Sequence, residues 1–173
     1  CTNYPQQLSH PKIKNITVEK LRLRQKDPLT IHFNPSYNAL IGGRGSGKST
    51  ILECLRLGLA RENELLTGRS DSALKQSFEN FKKEKTGRNQ PGMMLHDTRI
   101  TVEVSKGHGD LEERFEYRWT KGVDAKFAVT VRRWDSDAWQ ATQLTEEQAR
   151  SNFPVKLFSQ KQILALADNP QHL

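Results

Sequence analysis

The order of hydrophobic and polar residues predicts three strands and one helix before residue 61. In Ile13–Arg24, apolar side chains alternate with polar ones, with one slip near Lys20, which indicates a bulged strand. Leu29–Phe33 alternates again and predicts a second strand. Tyr37–Ile41 is a short apolar run that predicts a third strand, leading into a glycine-rich segment. In Lys48–Ala60, leucine and isoleucine recur at helical spacing and predict a helix.

The middle of the chain has the pattern of an antiparallel meander. Three alternating segments, Arg99–Ser105, Leu111–Trp119 and Lys126–Trp134, are separated by glycine-containing turn signals. Helices are expected before and after this meander, in Ser70–Lys85 and Thr145–Arg150. Together these elements predict a mixed α/β protein.

The two ends of the chain have different patterns. Residues 1–12 are polar and contain two prolines, which predicts a tail or linker, so we place the domain at 13–173. Near the other end, Val155–Phe158 predicts a buried strand, and Ile163–Ala167 predicts the start of a helix. The chain begins with Cys1, which favours an excerpt of a longer polypeptide or a processed product.

Composition narrows the class of protein. The 173 residues contain 35% hydrophobic and 27% charged side chains, and Lys plus Arg exceed Asp plus Glu by seven. This basic balance favours an anionic partner, although ordinary solubility charge explains it equally well. Two cysteines, Cys1 and Cys54, provide neither a disulfide framework nor metal-type spacing, which favours a cytoplasmic location. No apolar run reaches the ~18–20 residues of a membrane span.

The segment NALIGGRGSGKSTILE, residues 38–53, carries the clearest chemical signal. It fits the pattern G-x-x-x-x-G-K-[ST] with Gly42, Gly47, Lys48 and Ser49. Glycine allows the backbone to approach a phosphate closely, and the following helix supplies free N–H groups and partial positive charge. Lys48 can then reach the β- and γ-phosphates, and the Ser49 hydroxyl can bind Mg²⁺, whereas Thr50 serves the α-phosphate region or the helix start. The alternative is a glycine-rich turn with a solvated lysine.

We therefore predict an ATP–Mg²⁺ site in a Walker A loop. The predicted nucleotide-binding residues are Gly42, Gly43, Arg44, Gly45, Ser46, Gly47, Lys48, Ser49 and Thr50. Lys48 is the predicted catalytic residue of the loop, and Ser49 is the predicted metal ligand within it.

The run from Ile16 to Leu59 resembles the start of SMC/RecF-type ATPase heads, relatives of ABC transporter ATPases. The resemblance implies a P-loop NTPase fold of ABC/SMC type, of which this chain is the N-terminal lobe, with the meander as its antiparallel β-subdomain. Arg44 stands where that family commonly has asparagine, which resembles the TrlF-like branch and related antiviral defence ATPases.

A second resemblance lies in residues 155–166, VKLFSQKQILAL, which look like the Q-loop of the same family. The resemblance implies that Gln160 binds Mg²⁺ or orients the attacking water, as a second catalytic and metal-binding residue. Gln162 is the alternative, because it is only two positions further on, and a surface glutamine without a role is the default interpretation of either.

Other parts of such an ATPase are missing from the sequence. We find no signature loop, no Walker B strand ending in Asp-Glu and no switch histidine. The resemblance implies that a C-terminal lobe supplies them, in trans or from a part of the polypeptide not present here, and that a second head closes on the nucleotide. We expect an ATPase that is weak or inactive as this fragment alone.

Clusters of basic residues suggest that the chain binds nucleic acid, and two other interpretations of these residues are weighed against it. Lysines and arginines form one cluster in 82–88 and another along the meander, among tyrosine and tryptophan residues. We expect double-stranded DNA as partner, in genome maintenance or antiviral defence, with an effector nuclease as a possible further partner. Alternation favours a competing interpretation, in which Phe115, Tyr117 and Trp119 are core residues and the arginines opposite are solvated. An ATP-dependent sensor or switch without DNA binding, and a transport ATPase, remain alternatives.

Overall fold

The computed structural model describes residues 10–22, 26–65, 72–87, 91–107, 109–121, 127–159 and 162–163. The strands are β1 (Lys12–Leu21), β2 (Leu29–His32), β3 (Met94–Lys106), β4 (Glu113–Lys121), β5 (Phe127–Asp135) and β6 (Ala138–Ala141). The helices are α1 (Lys48–Gly58), α2 (Ser72–Lys82) and α3 (Glu146–Asn152), and two 3₁₀ segments lie at Glu62–Leu65 and Gly109–Leu111.

Within the described residues, the strands form one antiparallel sheet in the order β2-β1-β3-β4-β5-β6. Side chains of successive residues point to opposite faces of a strand, so alternation decides which face is buried. Ile100, Val102 and Val104 of β3 lie on the covered face, together with Tyr117 and Trp119 of β4, and all five are fully buried. Helix α1 packs on this face across β3 and β4, and the core therefore lies between α1 and the sheet.

The bulge predicted near Lys20 is present in β1. The pairing of β1 with β3 changes register between Glu19 and Leu21, and Lys20 itself has φ 54°. An extra residue in one strand of a pair produces this kind of shift. The slip in the hydrophobic pattern thus reflects the backbone geometry.

The meander is longer than the sequence pattern indicates. Strand β3 begins at Met94, five residues before the predicted start, because Met94 pairs with Leu21 beyond the bulge. Strand β6 was not predicted at all. It pairs with β5 through a tight turn in which Ser136 and Asp137 both have positive φ, 48° and 66°, as a two-residue hairpin requires.

Two predicted strands are wrong for this chain. Tyr37–Ile41 and Val155–Phe158 form neither helix nor strand. Tyr37 and Ile41 are 80% and 94% exposed. A strand needs a neighbouring strand for its N–H and C=O groups, and no described segment pairs with either run. The run at Tyr37–Ile41 is exposed throughout, whereas Leu157 is buried in the core and Val155 packs against it without either forming a strand.

The domain limits, 1–12 and 13–173, stay a prediction. Strand β1 begins at Lys12, and residues 1–9 lie outside the described part. The start of α1 at Lys48 agrees with the hydrophobic pattern, and α2 and α3 fall within or close to the helices expected around the meander.

Candidate functional site

The glycine-rich loop turns the chain into α1 through backbone conformations that favour glycine. Gly45 has φ 81° and Gly47 has φ 89°, both in the left-handed region. Gly47 is the N-cap of α1 and makes no side-chain cap hydrogen bond to the first turn. The first helical hydrogen bond runs from Ile51 N to Gly47 O at 3.1 Å. The start of α1 therefore presents backbone donors and the positive end of the helix dipole.

The Lys48 side chain folds back over the loop that precedes it. Its Nζ donates to Gly42 O at 2.5 Å, to Gly43 O at 2.8 Å and to Ser46 Oγ at 3.2 Å. The ammonium group thus lies over the loop that leads into α1. The same short loop therefore carries a positive charge and ends at a helix N-terminus, two features that favour a phosphate group.

The space around the loop differs from one glycine to the next. A Cβ added to Gly43 or Gly45 would meet no atom within 4 Å, whereas one added to Gly42 would lie 2.6 Å from Ser46 Oγ. Arg44 is exposed, and so is Ser49 in the first turn of α1, whereas Thr50 is partly buried. An exposed hydroxyl beside the loop fits a Mg²⁺ ligand, because Mg²⁺ takes one or two protein oxygens and completes its shell with water and phosphate. In the described ranges no group of three His, Cys, Asp or Glu side chains could hold a metal ion by itself.

The core anchors the other end of α1. Ile51, Leu55 and Leu57 are buried, and Cys54 is completely inaccessible. Burial, and secondarily the charge of Glu53, raises the pKa of the Cys54 thiol to about 12. Cys54 is therefore an inert packing residue, in agreement with its place in the apolar run.

Of the two predicted Q-loop glutamines, the structure describes only Gln162; Gln160 lies outside the described residues. The Gln162 side-chain oxygen accepts from Ser159 N at 2.8 Å, and Gln162 N donates to Ser159 Oγ at 3.3 Å. This reciprocal pair is a capping box at a helix start. The same oxygen also accepts from Arg56 Nη2 at 3.2 Å. The oxygen of Gln162 is thus engaged by two donors within the chain.

Sequence reasoning missed Arg56, which is fully buried in α1. Besides Gln162, its Nη2 donates to Leu157 O at 3.0 Å, and its Nε donates to Glu53 at 3.1 Å. Burial raises the pKa of Glu53, and the charge and hydrogen bond of Arg56 oppose that rise. The sequence feature that could have indicated the burial of Arg56 is its position: it follows Leu52 by four residues and so lies on the apolar stripe of the helix.

The basic residues of the sheet are paired with carboxylates, which changes the interpretation of the predicted DNA surface. The cross-strand and neighbouring ion pairs are Arg99–Glu19, Arg114–Glu103, Arg118–Glu116, Arg132–Glu116, Arg133–Glu113 and Lys121–Glu84. In the other cluster, Lys82 pairs with Glu62 and Glu79, and Lys83 donates to Asn80. Arg88 and Lys126 lie outside the described residues. Much of the positive charge in this part of the chain is balanced locally.

The aromatic residues of the meander divide between the two faces of the sheet. Phe115, Tyr117 and Trp119 are buried core residues, as the alternation indicates. Trp134 and Trp139 lie at the β5–β6 hairpin with ring centroids 5.2 Å apart, and the Arg114 guanidinium lies 5.0 Å from the centre of Trp134. These two tryptophans are thus partly covered by an arginine of the same chain.

Solved structures resemble this chain in fold. A solved structure of an SMC ATPase, from work on ATP-driven dimerization and DNA-stimulated activation of SMC ATPases, superposes with a TM-score of 0.55 at 12% identity. The match covers 93% of this chain and 94% of that one. No curated protein sequence matches the chain.

The fold comparison confirms the mixed α/β architecture, and together with the family match given below it confirms the predicted class, an SMC/RecF-type P-loop ATPase N-terminal lobe. Among the described residues, no helix combines the length and apolar character that crossing a membrane would require. The family described as an AAA domain (AAA_23) matches residues 15–172, and the chain therefore belongs to this family of ATP-binding ATPases.

Proposed function

We propose that the loop at residues 42–50 is a Walker A loop that binds the phosphates of ATP. The observation that carries the proposal is the convergence of Lys48 Nζ and the uncapped start of α1 on one loop. Gly45 and Gly47 shape this loop so that its backbone faces an anion, and Lys48 neutralises the β- and γ-phosphates. In doing so, the lysine exchanges part of its bonding to the Gly42 and Gly43 carbonyls for phosphate oxygens.

Mg²⁺ is the metal that we propose for this site, with Ser49 and Gln160 as the protein ligands. The exposed Ser49 hydroxyl stands one residue after Lys48, so it would hold the cation beside the phosphates. The bound metal supplies charge neutralisation at the transferring phosphoryl group. Gln160 is preferred over Gln162 because the oxygen of Gln162 already accepts from Ser159 N and Arg56 Nη2.

We further propose a second ATPase lobe as partner, either a C-terminal lobe or another head. Support comes from exposed apolar side chains just before the loop and in the segments flanking position 160: Ile41 is 94% exposed, Leu40 46%, Phe158 42% and Ile163 56%. Ile41 immediately precedes Gly42, and Phe158 belongs to the segment that leads to Gln160. A partner that covers these residues would also bring the missing hydrolysis residues to the nucleotide, so this chain alone would turn over little ATP.

For the biological role, we propose an ATPase that acts on double-stranded DNA, in genome maintenance or antiviral defence in the cytoplasm. The excess of seven positive charges and the work on DNA-stimulated SMC ATPases support this role. The paired arginines of the sheet favour a second candidate, a nucleotide-dependent switch that controls an effector protein, such as a nuclease, without binding DNA itself. A transport ATPase is the third candidate.

The experiment compares this chain, and the full polypeptide that carries it, with their Lys48→Ala variants. Fluorescent ATP should bind with Mg²⁺ and lose at least tenfold in affinity in Lys48→Ala, whereas Lys83→Ala, an exposed lysine of another segment, should bind normally. Equal affinity of Lys48→Ala and the parent would refute the site. Turnover of the full polypeptide with and without double-stranded DNA then separates the roles. Stimulation lost in Lys48→Ala supports the DNA role, and indifference to DNA supports the switch.

A further inference from the structure

Arg56 is a buried cation in the helix that begins at Lys48. Its side chain is completely inaccessible, and three of its hydrogen bonds are made by Nε and Nη2. Nη1 is also buried and has no acceptor among the described residues. The side chain thus crosses the core side of α1 to reach the segment that contains Leu157 and Gln162.

Burying a guanidinium group is energetically unfavourable, and an apolar side chain at this position would stabilise the helix equally well. Taking a charge out of water costs several kcal/mol, and replacing a buried ion pair by apolar residues is often neutral or stabilising. Its partner Glu53 is itself partly desolvated, and one guanidinium nitrogen lacks an acceptor among the described residues. Stability therefore does not explain why an arginine occupies this position, and the identity of its acceptors becomes the informative feature.

The two acceptors lie on either side of the proposed Q-loop glutamine in the chain. Leu157 O precedes residue 160 by three positions, and the Gln162 side-chain oxygen follows it by two. Gln162 also closes the capping box with Ser159, which fixes where the next helix begins. One guanidinium nitrogen of Arg56 therefore bonds both to the backbone at Leu157 and to the side chain of Gln162.

We propose that Arg56 is a positioning residue that couples the phosphate-binding helix to the Q-loop. Lys48 and Arg56 lie on the same rigid helix, eight residues apart, or about 12 Å along its axis at 1.5 Å per residue. Through its bonds to Leu157 and Gln162, Arg56 fixes the described residues on both sides of position 160 relative to α1. This inference rests on the proposed function, because it concerns the geometry between the two parts of that site.

The test replaces Arg56 by lysine in the full polypeptide and compares it with Arg61→Lys. Arg61 lies just beyond α1 and donates to two carbonyls of another segment, Arg150 O at 2.7 Å and Phe153 O at 2.5 Å. Both variants keep the charge and lose the planar fork. Arg56→Lys should lower kcat about tenfold or more while KM and ATP affinity change less than twofold, because misplacement affects chemistry rather than phosphate binding. Arg61→Lys should lower thermal stability and leave kcat unchanged.

A second variant keeps the proposal falsifiable if Arg56→Lys does not fold. Gln162→Leu removes the same contact from a partly exposed position, and it should lower kcat and shift the Mg²⁺ dependence of turnover to higher concentration. Independently of activity, amide hydrogen exchange at Ser159 should rise in both variants, and that at Gln162 should rise in Arg56→Lys.

The outcomes separate this inference from the proposed function. A normal kcat in Arg56→Lys or Gln162→Leu, or kcat losses equal to that of Arg61→Lys, would overturn the positioning role. Unaltered ATP affinity in Lys48→Ala would instead overturn the proposed site itself.

Discussion

Gly58 of α1 lies directly against Val102 of β3. A Cβ added to Gly58 would come within 2.6 Å of Val102 Cγ2 and within 3.2 Å of Ile100 Cγ2. The helix that begins at the candidate phosphate loop is therefore in close contact with the central strands at its other end. Glycine at this position allows the approach because it has no Cβ.

This contact predicts that Gly58→Ala destabilises the protein. Alanine favours helix by about 1 kcal/mol, but forcing a methyl group into branched side chains of a packed sheet costs about 1–3 kcal/mol. We expect a net decrease in the free energy of unfolding, measured by denaturant titration. Gly58→Ala should lower the free energy of unfolding less when it is made in a Val102→Ala background than when it is made in the parent protein. Stabilisation by Gly58→Ala would show that the sheet is not as close as described.

Gly45→Ala should weaken nucleotide binding beyond its effect on stability. Gly45 has φ 81° and an added Cβ would meet nothing, so the cost is backbone strain of about 1–2 kcal/mol. The loop relieves that strain by turning its N–H groups away from the phosphates. Gly109→Ala is the matched control. Gly109 also has a positive φ, 57°, and an added Cβ would likewise meet no atom within 4 Å, but the residue lies outside the phosphate loop. Both variants should lose stability, and only Gly45→Ala should lose ATP affinity; equal affinities would contradict the role of the loop.

Glu116 should matter more for stability than Glu113, although both accept from two cations. Glu116 is 8% exposed and lies between Arg132 and Arg118, whose Nη2 atoms are 2.5 Å and 3.1 Å away. Glu116→Gln leaves two partly buried guanidinium groups without a charged partner, which should cost about 1–3 kcal/mol. Glu113 is a more exposed partner of Arg133, and Glu113→Gln should cost under about 1 kcal/mol.

Urea unfolding in low and high salt distinguishes the two substitutions. Salt should change the effect of Glu113→Gln more than that of Glu116→Gln, because partly buried pairs are screened less. If Glu116→Gln and Glu113→Gln lowered the free energy of unfolding equally in low salt, the outer face of the sheet would be hydrated throughout.

The Cys54 thiol should be unreactive in the folded protein. In a Cys1→Ser background, a thiol reagent at pH 8 should react slowly until denaturant is added, since Cys54 is inaccessible.

The pKa of the Cys54 thiol is raised to about 12 in the folded state, so the folded state favours the neutral thiol. The associated stability is fully present below the unfolded pKa and is lost as pH rises toward about 12. Unfolding followed from pH 8 to 12 should therefore show a steeper loss in the parent than in Cys54→Ala; rapid native-state labelling would contradict the burial.

Local patterns predicted much of the candidate site. The positions of Gly42, Gly47, Lys48 and Ser49 follow from the loop motif, and the start of α1 at Lys48 follows from helical spacing. The meander followed from alternation, because the face that a strand buries is encoded every second residue. The β5–β6 turn escaped detection because Ser136 and Asp137 do not form the glycine-containing pair that usually signals such a hairpin.

Hydrophobic periodicity predicted a mixed α/β protein and the glycine spacing predicted the phosphate loop, since both depend on neighbours within a few positions, whereas the SMC/RecF-type class came from the resemblance of residues 16–59 to that family. Tertiary structure alone decided the rest. Tyr37–Ile41 does not form a strand, because strand formation depends on a pairing partner that its own sequence does not specify. The charges of Arg114 and Arg132 meet carboxylates on adjacent strands. The role proposed for Arg56 depends on its contacts with Leu157 and Gln162, which lie 101 and 106 positions further along the chain. Contacts over such separations depend on packing and cannot be read from the local sequence.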